Sequence, residues 1–215
     1  MARLPILWTF RRCPYAMRAR LAIAASGCQV ELREILLKDK PAPFLAASPK
    51  GTVPVVVAGE QVIEESRDVM HWALGQNDPE GWLDMPTEGH DLIDACDGPF
   101  KRALDHTKYA VRFPDRDVVD DRAEALTYLS DWNDRLQRTA FLTGPRRTLA
   151  DMAVLPFVRQ FANTDRAWFD AQGLSALTTW LDDFLKSKQF ADVMTKYTPW
   201  ADGQETVVFP ASPQG

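Results

Sequence analysis

The chain has 215 residues, of which 46% are hydrophobic, and a formal net charge of −5 at pH 7. This length allows one large or two small domains, and the acidic balance argues against a nucleic-acid partner. No apolar run approaches the roughly 20 residues needed to cross a bilayer, so we expect no membrane partner.

The first residues, Met1-Ala2-Arg3, run directly into a strand-like segment and lack the features of a secretory leader. The three cysteines, Cys13, Cys28 and Cys96, are far apart and show neither zinc-ligand spacing nor a disulfide framework. We therefore expect a cytoplasmic protein that binds no metal.

Strand and helix signals alternate through residues 1–77, which we predict to form an α/β domain. The predicted order is β-α-β-α-β-β-α, and the crossover between the first two strands predicts that they are parallel. Gly27 is expected to end the first helix, as glycine commonly does. The elements are predicted at 4–10, 14–25, 29–36, 40–48, 53–57, 62–63 and 65–74.

Residues 78–87 are rich in turn formers and predict a linker. Strand signals almost vanish afterwards, so residues 88–215 are predicted to form an all-α domain. Amphipathic stretches place its helices at 88–112, 118–138, 148–163 and 174–186. The tail at 203–215 has no periodicity, and we expect it to wrap against the protein or to fray.

Cys13 stands where the first strand turns into the first helix, directly before Pro14. A helix N-terminus favours the thiolate, which is the reactive form of cysteine. The alternative is a cysteine that serves only as a small core residue, which we assign to Cys28 and Cys96. In the segment Cys13-Pro14-Tyr15-Ala16, the fourth position is alanine, so no second thiol is available to resolve a disulfide formed at Cys13. A dithiol cycle is therefore excluded at this site, and a monothiol cycle is left open.

Four arginines surround this cysteine in sequence, and cationic neighbours favour a thiolate further. Two of them, Arg18 and Arg20, lie on the predicted first helix, where arginine usually occupies a solvated face. We therefore expect both to be exposed. The set is Arg11, Arg12, Arg18 and Arg20.

Two further motifs suit a peptide-like ligand. If the Val53–Pro54 bond is cis, the backbone of Val53 can face outward and pair with an extended peptide; the alternative is an ordinary trans proline opening an edge strand. Ser66, at a predicted helix start, can bind a carboxylate while Glu65 meets an ammonium group. The alternative for this second pair is simple helix capping.

Together, these motifs resemble the glutathione transferase superfamily, in particular its cysteine-type, omega-like members. The N-terminal half resembles a thioredoxin-like domain, and Cys13-Pro14-Tyr15-Ala16 is similar to a glutaredoxin site without its second cysteine. The segment Thr148-Leu149-Ala150-Asp151 matches the helix-capping box of the superfamily.

The resemblance implies that glutathione is the co-substrate and Cys13 the catalytic residue. It implies a cis Val53–Pro54 bond, with Val53 pairing with the cysteinyl part of glutathione and Glu65-Ser66 holding its γ-glutamyl end. Lys40 is implied to contact the glycine carboxylate. Two further residues of these motifs, Tyr15 and Pro54, complete the expected glutathione contacts.

The resemblance also implies a homodimer and a small electrophilic or disulfide substrate that binds between the domains. Its expected activities are thiol transfer, dehydroascorbate reduction and reductive removal of glutathione from adducts. Two alternatives stay open: a non-catalytic binding or regulatory protein with this fold, and a glutathione-dependent isomerase or dehalogenase. Residues that could line the electrophile site are His106, Tyr109, Phe113 and Trp168.

Overall fold

A computed structural model describes residues 3–211 of the chain. The described part divides into two compact units. One comprises the residues up to Gly81 together with those from Lys188 onward, and the other is Trp82–Ser187. Within residues 3–211, no helix has the combination of length and hydrophobicity required to span a membrane.

The first unit contains the predicted β-α-β-α-β-β-α order around a mixed sheet. Strand β1 is parallel to β2 and antiparallel to β3, and β4 continues the sheet beyond β3. The parallel pairing predicted for the first two strands is therefore confirmed. The elements are β1 (Ile6–Thr9), α1 (Pro14–Ser26), β2 (Val30–Glu34), α2 (Ala42–Ala47), β3 (Val55–Ala58), β4 (Gln61–Ile63) and α3 (Ser66–Gln76).

Helix α1 is buried around most of its circumference, because small and apolar side chains dominate its sequence. It packs against α3 on one side and against a helix from the C-terminal part of the chain on another. The predicted stop is confirmed: Gly27 has φ +70°, and its N–H donates to the carbonyl of Ala24 at 3.3 Å. A residue with a Cβ would be strained at this φ.

The C-terminal residues return to the first unit, which corrects the predicted boundary at 88–215. They form α10 (Lys188–Val193), which packs on α1, and β5 (Val208–Phe209), which pairs antiparallel with the edge of β2. Between them, the N–H of Trp200 donates to the carbonyl of Glu34 at 2.7 Å. The expected wrapping of the tail is thus seen for residues 203–211, while residues 212–215 lie outside the described part.

The second unit is helical, as predicted. Its first predicted helix, 88–112, is interrupted by a π-helical turn at Cys96–Phe100 that contains Pro99, whose ring nitrogen cannot donate a helical hydrogen bond. The prediction also missed α8, which has five residues and too little length to show a period. The elements are α4 (Glu88–Ala95), α5 (Lys101–Lys108), α6 (Val118–Leu136), α7 (Leu149–Ala162), α8 (Arg166–Asp170) and α9 (Ser175–Lys186).

The predicted capping box at the start of α7 is confirmed. Asp151 is fully buried, and its carboxylate accepts the N–H groups of Thr148 and Leu142, each at 2.9 Å. Burial raises the pKa of Asp151, although these hydrogen bonds act in the opposite direction. The carboxylate therefore joins the preceding loop to the most deeply buried helix of this unit.

Candidate functional site at the start of the first helix

Cys13 is the N-cap residue of α1, with Pro14 in the first helical position. Its own N–H donates to the carbonyl of Phe10 at 3.1 Å, which closes the turn between β1 and α1. The side chain is half-buried, and within the described chain its sulfur makes no capping hydrogen bond to the helix. Its Sγ instead lies 3.7 Å from the carbonyl oxygen of Val53, to which a protonated thiol donates.

Val53 lies directly across from the cysteine, and the Val53–Pro54 peptide bond is cis. The cis geometry implied by the resemblance is therefore present. Among residues 3–211, no acceptor pairs with the backbone N–H of Val53. One backbone donor next to the sulfur is thus available to an extended ligand.

Ser66 and Glu65 form the start of α3, as the first helical residue and the N-cap respectively. Ser66 is 3% exposed, and its Oγ accepts a hydrogen bond of 3.0 Å from Nε of Arg18. Glu65 is exposed and forms an ion pair with Lys50. The hydrogen bond that the Lys50 ammonium donates to the Glu65 carboxylate raises the pKa of Lys50. The Glu65 carboxylate is therefore placed to meet an ammonium group, and it already holds one from the chain itself.

Lys40 and Tyr15 lie at the edges of the same region. The ammonium of Lys40 approaches the loop before Val53 so closely that a Cβ on Gly51 would be 3.3 Å from it. Gly51 also has φ +63°, so this close approach and the backbone conformation both favour glycine. The guanidinium carbon of Arg18 lies 5.3 Å from the ring centre of Tyr15, which links the cysteine motif to the start of α3.

Arg18 and Arg20 contradict the expectation that they are exposed, since they are 2% and 1% exposed. The reason is that α3 covers one side of α1 and α10 covers another, and α10 comes from the distant end of the chain. One signal in the sequence pointed this way. The helix is apolar around its whole circumference apart from these two arginines, which is typical of a buried helix.

The other two cysteines differ from Cys13 in setting. Cys96 is fully buried, and burial raises the pKa of the Cys28 thiol, which disfavours its thiolate. Both observations agree with the interpretation that these two residues are structural.

The residues suggested as lining for an electrophile site have partners inside the helical unit. Nδ1 of His106 lies 3.2 Å from Oδ1 of Asp121. The centre of the His106 ring is 4.4 Å from the centre of the Phe113 ring. The guanidinium of Arg112 lies over the ring of Tyr109, and that of Arg122 over the ring of Trp168. Their role toward a substrate stays a prediction.

Two family models match the chain over most of its length. Residues 7–81 match the glutathione S-transferase N-terminal domain, and residues 91–183 match the glutathione S-transferase C-terminal domain. The chain therefore belongs to the glutathione S-transferase family. The two-domain fold expected from the resemblance, a thioredoxin-like domain and a helical domain, is confirmed.

Relatives from several branches of this family are similar to the chain. A probable glutathione transferase of Aplysia californica is 46% identical over 56 residues, which are 26% of this chain and 61% of that protein. Glutathione S-transferase F9 of Arabidopsis thaliana is 25% identical over 84% of this chain and 92% of its own length. The chloroplastic glutathione S-transferase DHAR3 of the same plant is 27% identical over 67% of this chain and 53% of its own.

Among solved structures, glutathione transferase Omega 3C of Trametes versicolor has a TM-score of 0.75 to this chain at 17% identity. The match covers 94% of this chain and 93% of that one. At this identity the likeness concerns the fold alone.

Proposed function

We propose that the protein is a cysteine-type glutathione transferase that transfers thiols through a mixed disulfide between Cys13 and glutathione. The observation that carries this proposal is the placement of one half-exposed cysteine at the start of α1, against the carbonyl of Val53. The motif offers no second thiol, because its fourth position is Ala16. A disulfide formed at Cys13 must then be resolved by an outside thiol.

The surroundings of Cys13 suit the three parts of glutathione. The backbone N–H of Val53 is available to the cysteinyl carbonyl, in the manner of an added strand. Ser66 and the start of α3 suit the γ-glutamyl carboxylate, and Glu65 suits its ammonium group. Lys40, beside the loop that leads to Val53, suits the glycine carboxylate.

Ionisation of Cys13 changes its contacts in a way that favours attack. A thiol donates to the carbonyl of Val53, whereas a thiolate is repelled by that oxygen. The anion is then drawn toward the N-terminus of α1, where the helix dipole is positive. The thiolate attacks the glutathione sulfur of a substrate disulfide, the S–S bond breaks, and the substrate leaves as a thiolate.

The second half of the cycle restores the enzyme. The thiolate of another glutathione attacks the glutathione sulfur bound to Cys13, which produces glutathione disulfide and regenerates the Cys13 thiolate. The proton released when this second glutathione ionises neutralises the departing substrate thiolate. Per cycle, one substrate disulfide is reduced and one glutathione disulfide is formed, with no other reductant.

Dehydroascorbate and glutathione adducts of small electrophiles are the substrates that we propose beside mixed disulfides. The similarity to the glutathione S-transferase DHAR3 supports glutathione as the co-substrate of these reactions. We further propose that the protein is a cytoplasmic homodimer in which residues 1–77 of each protomer bind glutathione. The segment from Lys188 onward, called the C-terminal return below, belongs to the same compact unit as these residues.

The test is the Cys13→Ser variant, with Cys28→Ser as the matched control. We expect Cys13→Ser to lose reduction of a small glutathione mixed disulfide and Cys28→Ser to keep it. Mass spectrometry of the wild-type protein incubated with glutathione disulfide is expected to place one glutathione on Cys13. An unchanged rate in Cys13→Ser overturns the mechanism. Retention on immobilised glutathione without any turnover points to a non-catalytic protein, and turnover limited to isomerisation or dehalogenation points to the other alternative.

A further inference from the structure

Arg20 makes an unusual set of contacts for a fully buried cation. Its guanidinium donates to the carbonyls of Arg11 at 2.7 Å and Phe10 at 3.4 Å, and to the hydroxyl of Thr9. Its Nε donates to the carbonyl of Val193 in α10 at 3.0 Å. One side chain on α1 therefore binds three consecutive residues, the last of β1 and the first two of the turn before Cys13, and connects them to the C-terminal return.

A second buried charge supports the same turn from the sheet. Glu34, at the end of β2, is 7% exposed, and its Oε1 accepts the backbone N–H of Arg11 at 2.7 Å. Burial raises the pKa of Glu34, against the effect of the Arg11 hydrogen bond and the nearby Arg20. The turn between β1 and α1 is thus held by hydrogen bonds to Arg20 on α1 and to Glu34 on β2, and Arg20 is itself hydrogen-bonded to α10.

The charge of Arg20 is not neutralised by a direct ion pair. In the part of the chain that is described, its hydrogen-bond acceptors are three carbonyls and one hydroxyl. Burial lowers the pKa of Arg20 to about 10, so it stays protonated at neutral pH. The titratable groups that face it are Glu34 on β2, Arg11 and Cys13 on the turn, and Tyr197 on the C-terminal return.

We propose that Arg20 is a positioning residue for the nucleophile. It fixes the turn that sets the direction of the Cys13 side chain, and its buried charge favours the thiolate of Cys13. The C-terminal return contributes to this function through the Val193 carbonyl, because it completes the acceptors that keep the guanidinium inside. The inference rests on the proposed function in assigning a reaction to Cys13, but its test needs no enzymatic turnover.

The test measures how fast iodoacetamide alkylates Cys13 between pH 5 and 10, followed on its peptide by mass spectrometry. In Arg20→Gln the pH of half-maximal rate is expected to rise by about one unit, which corresponds to an approximately tenfold smaller acid dissociation constant of the Cys13 thiol. Arg20→Lys keeps the positive charge but lacks the planar guanidinium, and we expect its pH of half-maximal rate to lie close to that of the wild type. Arg12→Gln is the matched control, since Arg12 is exposed and adjacent to Cys13 in sequence.

A purely structural role for Arg20 predicts lower stability with an unchanged alkylation midpoint. A folded Arg20→Gln protein, verified by circular dichroism, whose midpoint equals that of the wild type therefore overturns the proposal. So does a shift of the same size in Arg12→Gln.

If Arg20→Gln does not fold, the Thr9→Val variant decides. It removes one acceptor of the guanidinium while keeping the volume of the side chain, and we expect a several-fold slower alkylation at neutral pH. An unchanged rate in Thr9→Val overturns the proposal. If the wild-type protein shows no thiol transfer but these alkylation shifts are observed, the proposed function is wrong and the positioning role of Arg20 is supported.

Discussion

Replacing Arg18 by methionine removes the charged donor that fixes the hydroxyl of Ser66. Nε of Arg18 lies 3.0 Å from the Ser66 oxygen, and both side chains are buried. Because this oxygen already accepts from Arg18, its own proton is available to donate to the γ-glutamyl carboxylate that we propose binds there. The orientation of the hydroxyl, and with it the affinity for glutathione, is therefore expected to depend on Arg18.

The magnitude follows from the charges involved. A hydrogen bond to a charged group contributes about 1.5–3 kcal/mol, so Ser66→Ala is expected to weaken glutathione binding by about 10- to 150-fold. Arg18→Met leaves the hydroxyl in place but unoriented, and we expect about a tenfold loss. In the double variant the two losses should not add, which gives a coupling free energy of about 1.4 kcal/mol, equal to the tenfold loss expected for Arg18→Met alone.

Calorimetric titration of glutathione into the four proteins of this cycle measures the coupling, with Cys13→Ser present throughout to prevent disulfide chemistry. Urea unfolding of each variant checks that the protein is folded. Arg12→Met is the control, because it removes an exposed arginine near the same cysteine. Equal effects of Arg18→Met in the presence and absence of the Ser66 hydroxyl would refute the reasoning.

Two further predictions concern charges elsewhere in the protein. Lys50→Met frees the Glu65 carboxylate from its exposed ion pair, and because such pairs contribute little we expect KM for glutathione to fall by at most about fivefold. A rise in KM in steady-state kinetics would mean instead that Lys50 binds the ligand. In the helical unit, burial acts to raise the pKa of Asp121, but hydrogen bonds from Arg116 and His106 outweigh it and the pKa is lowered. The stability that this group supplies is present above the unfolded value of about 3.9 and is lost as the pH falls through the lower folded value. Asp121→Asn is therefore expected to lose about 1–3 kcal/mol at pH 7 and to show a shallower loss between pH 5 and 3 in urea unfolding, and parallel pH curves would contradict the assignment.

Local patterns in the sequence were sufficient for much of the first unit. The alternation of apolar runs and helical spacing predicts the β-α-β-α-β-β-α order, and Gly27 marks the end of α1. The same is true of the capping box at Thr148 and Asp151, whose partners are three residues apart. In each case the residues that interact are close together in sequence, so a short window of the sequence is enough to predict the feature.

The elements that were missed are short or depend on distant partners. The two-residue strand β5 and the six-residue helix α10 are too short for a periodic pattern, and they exist as parts of the first unit because β2 and α1 offer them an edge and a face. The ion pair between Lys50 and Glu65 likewise joins two loops that only the folded chain brings together.

By itself, the sequence was enough to propose Cys13 as the nucleophile, because the dipole of a helix start and the proline that follows act directly on the neighbouring cysteine. Tertiary structure alone decided what surrounds it. Arg20 and its acceptor in Val193 are 173 positions apart, and no local pattern reports such a contact. Two arginines typical of a solvated helix face thus became buried groups beside the site, because packing against α3 and α10 removed the solvent and supplied oxygen acceptors in its place.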